Sequence, residues 1–280
     1  MSGGPAQLIL IAPHRYLNDV EPLLQARRAE GLSARVDFND DGNPELAIGR
    51  LPVRTSVELS ALIARILAPG NAAPNSALFI AERANPAEGA DYAAELNQVI
   101  AGMPAQWQNQ AQRVYLDQYP AGSTAVAQAR AAIVDSITAG RSLVSYFGHG
   151  SPTVWSREQL LQSAQLGSLF GPGYAPAPVV SEFGCWGGYF VAPQYNTMSH
   201  GWLLAGGSAA SGVFASSGLT DHHSDRRMAE VLLPALAQSG VRLGDALRMA
   251  KQTLHASEPE LQDVLRGMSL FGDSSMRIGN

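Results

Sequence analysis

Short runs of consecutive or alternating apolar residues recur along the chain. Most are followed by longer stretches in which Ala, Leu and Ile return at three- and four-residue spacing. The first pattern reads as strands and the second as amphipathic helices. Their alternation predicts an α/β protein with a sheet flanked by helices on both faces. Strands are expected over 8–12, 34–38, 77–81, 113–116, 142–147, 178–183, 211–215 and 275–278, with a short extended piece over 45–48. Helices are expected over 20–30, 92–101, 124–139, 226–237 and 243–255, and from a Thr55 cap to 67. Residues 39–44 form a turn cluster, and the Pro-, Gly-, Asn- and Ala-rich stretch 69–74 is the best boundary in the chain. It divides a small N-terminal subdomain, 1–73, from a larger one, 74–280.

Two of these strands carry chemistry at their ends. The runs 142–147 and 178–183 are of the fully buried type, and they lead into Gly148-His149-Gly150 and Gly184-Cys185. Ligands of open α/β sheets bind beyond the carboxyl ends of the strands, so both side chains are delivered to one edge. A thiolate to attack and an imidazole to manage protons are sufficient for acyl transfer. The backbone N–H groups of Gly150 and Cys185 are candidates for an oxyanion hole, a stabilisation typically worth about 3 kcal/mol. On spacing alone the competing reading is a buried thiol and a structural histidine at neighbouring strand ends.

Composition narrows the setting. With 280 residues, 46% of them hydrophobic and 15% charged, the chain can bury a sizeable core. A formal net charge of -5 argues against nucleic acid as the main partner. No run of about 18 strongly apolar residues is present, so no membrane span is expected. The stretch 201–218 comes nearest and is diluted by Gly, Ser and Ala. The opening Met-Ser-Gly-Gly-Pro shows no secretory signal pattern. One cysteine excludes an internal disulfide and zinc sites built on several thiolates.

Four ordered segments resemble the gingipain peptidase family. They are Tyr146-Phe-Gly-His149-Gly-Ser151 with Trp155, Phe183-Gly-Cys185-Trp-Gly-Gly-Tyr-Phe190, the stretch 44–55 (Pro-Glu-Leu-Ala-Ile-Gly-Arg-Leu-Pro-Val-Arg-Thr) and Leu270-Phe-Gly-Asp-Ser-Ser-Met276. The resemblance runs from Pro44 nearly to the end. It implies a caspase-like sheet and a cysteine endopeptidase acting on protein or peptide substrates, without a required cofactor. In that reading Cys185 attacks the scissile carbonyl, His149 protonates the leaving amine, and Glu82, just after strand 77–81, orients the imidazole. Asp91 aligns with the carboxylate that gives some members their preference for arginine, although an aspartate there also suits a helix cap. Trp186, beside the nucleophile, is a candidate for substrate binding; Trp155 and Trp202 are candidates for the cleft wall, with core packing as the ordinary alternative. The family habit implies an extracellular or cell-surface location. Other readings are a sortase-like transpeptidase and an inactive module for binding or assembly.

The chain departs from the family in one respect: a long insertion expected between 31–38 and 40–55 is absent, so the N-terminal subdomain is abbreviated. Asn39, Asp40, Asp41 and Glu45 offer oxygen ligands for a structural calcium ion but lack the full loop pattern, which favours a plain turn. Asp221-His222-His223 reads as a solvated loop rather than a metal cluster. Ser151 lacks the elbow of serine hydrolases and is not assigned as nucleophile.

Overall fold

A computed structural model describes residues 19–29, 47–67, 75–170, 177–192, 194–204 and 210–278. The chain begins with α1 (Glu21–Ala29) and α2 (Ser56–Ile66), followed by β1 (Ala77–Ala81), α3 (Tyr92–Ala101), α4 (Ala105–Asn109) and β2 (Ala111–Tyr115). Next come α5 (Ser123–Thr138), β3 (Leu143–Phe147), a small hairpin of β4 (Val154–Trp155) and β5 (Leu161–Gln162), α6 (Ser163–Leu169) and β6 (Val179–Phe183). The remainder is α7 (Met198–Leu204), β7 (Gly212–Ser216), α8 (His222–Leu236), α9 (Leu243–Ser257), α10 (Gln262–Gly267) and β8 (Met268–Gly272).

Six strands form one sheet in the order β2-β1-β3-β6-β7-β8. All neighbours are parallel except β7 and β8. The four inner strands, with sequences ALFIA, LVSYF, VVSEF and GVFAS, are buried at every position. Such continuous burial is what a parallel sheet covered by helices requires. Helix α8 contacts both α3 and α9, α7 contacts both α2 and α6, and α5 lies over β1 and β2. β1 is flanked by β2 on one side and β3 on the other, so the chain reverses its direction of growth there. That reversal opens a crevice at the carboxyl ends of β1 and β3.

Local signals explain most boundaries. Thr55 caps α2 by accepting from Glu58 N at 3.2 Å, while the Glu58 carboxylate accepts from Arg54 N at 2.6 Å. Thr55→Ala is expected to cost about 1 kcal/mol in urea unfolding; an unchanged midpoint would show that tertiary contacts alone hold α2. Val20 and Leu23 of the first segment, and Leu59 and Leu62 of α2, join the same apolar core as the sheet.

Three expectations are corrected. The last strand is Met268–Gly272, not 275–278: Gly272 (φ +130°) ends it, and the Asp273 carboxylate then accepts from Ser275 N and Oγ at 2.8 and 2.7 Å, forming a turn. The β-pairing of Arg277 is an isolated bridge to Arg242. The second strand of the sheet begins at Ala111, because an edge strand keeps polar Gln112 and Arg113 exposed, and Leu116 has passed into a 3-10 turn. Asp221-His222-His223 is not a loop: Asp221 caps α8, accepting from Ser224 N at 3.0 Å, and both histidines lie in the first turn. The expected strands at 8–12 and 34–38, the boundary at 69–74 and the oxygen-rich turn at Asn39, Asp40, Asp41 and Glu45 lie outside the described residues.

Candidate active site

Three neighbouring strands release their functional residues at one level. Ala81 pairs with Phe147, and Phe147 pairs with Phe183. The residues that follow are Glu82, Gly148-His149 and Gly184-Cys185. The ladder continues one step further, with Glu82 N donating to Phe147 O at 3.0 Å and Gly148 N to Phe183 O at 3.1 Å. Glycine is required at 148, where φ is +152° and a Cβ would overlap that of Glu82. It is also required at 184, where a Cβ would overlap Gly148 O.

Glu82 is buried and fixes His149 through both backbone and ring. Its Oε2 accepts the His149 backbone N–H and lies 2.8 Å from Nδ1, while Oε1 accepts Arg157 N–H at 2.7 Å. The Tyr146 hydroxyl donates to His149 O at 2.7 Å. With Nδ1–H directed at Glu82, Nε2 is the nitrogen left for chemistry. Glu88 Oε2 lies 3.0 Å from Nε2, and the Arg157 guanidinium, ion-paired with Glu88, also reaches it at 3.0 Å. Arg157 holds the Glu88 carboxyl below the usual carboxylate range. The Tyr92 hydroxyl lies 3.1 Å from Nδ1, and burial pushes its ionisation far up, so it remains a neutral partner.

Cys185 sits opposite. Its Sγ donates to Thr220 O at 3.3 Å, and Thr220 N donates to Sγ at 3.4 Å. His149 and Cys185 line a common cleft of about 190 Å³ with Glu88, Tyr92, Thr220 and Asp221. Among the described residues, the backbone N–H groups of Gly150 and Cys185 donate to no other group of the chain, and Gly150 pairs with Trp155 in a bridge that leaves its N–H free. Both donors are therefore unpaired within the described chain, and of the two residues Cys185 lines the cleft.

The other candidates go elsewhere. Asp91 caps α3, accepting from Ala94 N at 2.9 Å, and does not line the cleft. Trp186 follows the nucleophile with φ +67°, and its N–H donates to Gly218 O at 2.9 Å; its ring meets Tyr189 edge to face. A bulky residue held in that region typically costs roughly 1–3 kcal/mol of strain, which the bond to Gly218 O and the contact with Tyr189 hold in the turn carrying Cys185. Trp155 and Trp202 are core residues: Trp155 stacks on Tyr146 at 4.5 Å and also meets Trp202.

Sequence reading missed Tyr92, Glu88, Arg157 and Thr220. Thr220 was within reach of the strand-end rule, since it closes the segment that leaves β7 beside β6. Glu88 and Arg157 converge on the imidazole from two separate turns, and nothing in their spacing signals it. No group of three or more His, Cys, Asp or Glu is arranged for a metal among the described residues.

A sequence profile of peptidase family C25 matches residues 34–279. No curated protein matches the chain in sequence. Among solved structures, the complex of Porphyromonas gingivalis RgpB pro- and mature domains is 16% identical with a TM-score of 0.78, covering 96% of this chain and 78% of that one. The Arg-specific cysteine proteinase gingipain R (RgpB) is 18% identical with a TM-score of 0.69, over 86% of this chain and 57% of that one. The Saccharomyces cerevisiae separase–securin complex is 15% identical with a TM-score of 0.54, over 81% of this chain and 14% of that one. At such identities the likeness is one of fold: a caspase-like sheet flanked by helices.

Proposed function

The chain belongs to peptidase family C25, and from that premise we propose a cysteine endopeptidase in which Cys185 is the nucleophile, His149 the proton carrier and Glu82 the residue that orients it. The observation that carries this reading is the descent of all three from the ends of adjacent strands, with the Glu82–His149 bond formed and His149 and Cys185 facing one cleft.

The reaction follows from the groups present. The Cys185 thiolate adds to the peptide carbonyl carbon, and the oxygen takes up charge beside the Gly150 and Cys185 N–H groups. Collapse breaks the C–N bond, the leaving nitrogen takes a proton from His149 Nε2, and a thioester remains on Sγ. Water, deprotonated by the same nitrogen, adds to the thioester and frees the acid and the thiol. For this cycle Nε2 must exchange its contact with Glu88 and Arg157 for the substrate. Catalytic hydrogen bonds commonly tighten only when substrate is bound. No cofactor enters these steps.

A preference for Arg or Lys before the scissile bond is supported by the acidic lining of the cleft, Glu88 and Asp221 among it, provided that Glu88 gives up its pair with Arg157 or Asp221 its cap of α8. A guanidinium satisfies a carboxylate bidentately and is the better fit of the two. Asp91 enters this proposal only if its capping bond is given up. Action outside the cell or at its surface is proposed on family likeness alone.

The experiment is mass-spectrometric labelling with a peptidyl-arginine chloromethyl ketone. Wild type is expected to gain one adduct on Cys185, Cys185→Ala none, and His149→Ala an adduct formed at least about 100-fold more slowly. Folded protein that reacts with no peptide electrophile would favour the binding-module reading. Products joined to an added amine, in place of hydrolysis, would favour transpeptidation.

A further inference from the structure

Among the acids near the site that the proposed reaction leaves unused, Glu182 stands out. Glu182 lies on β6, three residues before the nucleophile, with no solvent exposure. Among the described residues neither of its carboxyl oxygens has a hydrogen-bond partner. The group sits against both catalytic loops. A Cβ on Gly187 would overlap both carboxyl oxygens, and one on Gly150 would come within 3.1 Å of Oε1 and 3.1 Å of the Cys185 nitrogen. The carboxyl therefore backs the same peptide groups that face the developing oxyanion.

Its surroundings oppose a charge. Trp155 Nε1 approaches without hydrogen-bonding geometry. The titratable groups facing it are Tyr146 from β3 and Asp225 from α8, both pushed well up by burial. No cation among the described residues balances it.

We infer, on the basis of the reaction proposed above, that Glu182 is a positioning residue that supports the Cys185 turn as a neutral carboxylic acid, and that its ionisation shuts the oxyanion site off. A negative charge behind Gly150 and Cys185 opposes both the thiolate and the oxyanion, whereas the neutral acid opposes neither. Burial pushes the Glu182 carboxyl up to about 8, so the switch falls just above neutrality. The sign for stability follows: the folded state keeps a proton that the unfolded chain releases near the ordinary carboxylate value. Stability therefore falls as pH rises from there to about 8 and levels off beyond.

The test is the pH dependence of Cys185 labelling, together with urea stability, for wild type and Glu182→Gln, which keeps the shape and cannot ionise. Wild type is expected to lose labelling with a midpoint near pH 8. The variant should label through that pH and exceed wild type about 10-fold one unit above the midpoint, since a single ionisation removes a factor of ten per unit. Its stability should also lose the decline seen in wild type. Equal alkaline midpoints in the two proteins would overturn the inference. If the amide does not fold, an infrared titration of wild type decides: a carboxylic-acid band that bleaches near pH 8 supports it, and none bleaching there overturns it. Wild type that labels at no pH, while folded, refutes the nucleophile itself, a result distinct from shared midpoints.

Discussion

Glu82→Gln is expected to lower kcat/KM by roughly 10²–10⁴-fold while leaving Cys185 in place and chemically intact. Glu82 Oε2 serves two donors at once, the His149 backbone N–H and Nδ1, and Oε1 serves Arg157 N–H. A glutamine has one acceptor oxygen and an NH₂ group. If its oxygen stays with the His149 side, the NH₂ faces Arg157 N–H and two donors collide; if it turns, the NH₂ faces Nδ1 and favours the tautomer with the proton on Nε2. That tautomer presents a donor where a base is needed. The carboxylate also balances the imidazolium that forms while the thiol is deprotonated, and the amide cannot. The loss should appear in kcat, with KM little changed, because Glu82 does not line the cleft. A parallel fall in the labelling rate is the second readout. A variant with wild-type kcat would reduce Glu82 to a structural anchor of the turn after β3.

The contrast between what could and could not be read beforehand follows from where the information lies. Inner strands such as ALFIA and LVSYF are continuous apolar runs, because a covered parallel sheet buries both faces. They were legible together with their ends, and so was the placement of Glu82, His149 and Cys185 just beyond three adjacent strands. At the sheet edges this signal fades. β2 keeps Gln112 and Arg113 exposed, and β8 follows α10 without a break, so its apolar residues merge with the preceding helical pattern. Helices α6, α7 and α10 have six or seven residues, too few for a period to be established. The start of α8 was obscured because two histidines at the head of a helix carry no periodicity; Asp221, the cap, was its only sign. For Asp91 the structure shows the local capping role, one of the two uses its position suggested. Glu88 and Arg157 belong to contacts made only by the assembled fold.

The largest loss of stability is expected from Asp273→Ala, about 3–5 kcal/mol in urea unfolding. Asp273 stands in the Leu270–Met276 segment, and its Oδ2 lies 2.7 Å from both Nε and Nη2 of Arg27 on α1. The two side chains are 9% and 2% exposed, so the pair is sheltered from water. Truncation removes the Asp273 carboxylate from a buried guanidinium. It also strips Ser275 N and Oγ of their acceptor, Asp273 Oδ1. The same turn receives Leu243 N on Met276 O and Gly244 N on Ser274 O, so the first residues of α9 depend on it as well. Removing the partner too tests the origin of the loss. Arg27→Met with Asp273→Ala should recover a substantial part of it, because an apolar pair of similar volume carries no desolvation cost. A double variant as unstable as Asp273→Ala would assign the loss to the turn at Ser275 instead of the ion pair. A single variant within about 1 kcal/mol of wild type would show that α1 contributes little to the fold's cooperative unit, since folded domains are stable by only about 5–15 kcal/mol in all.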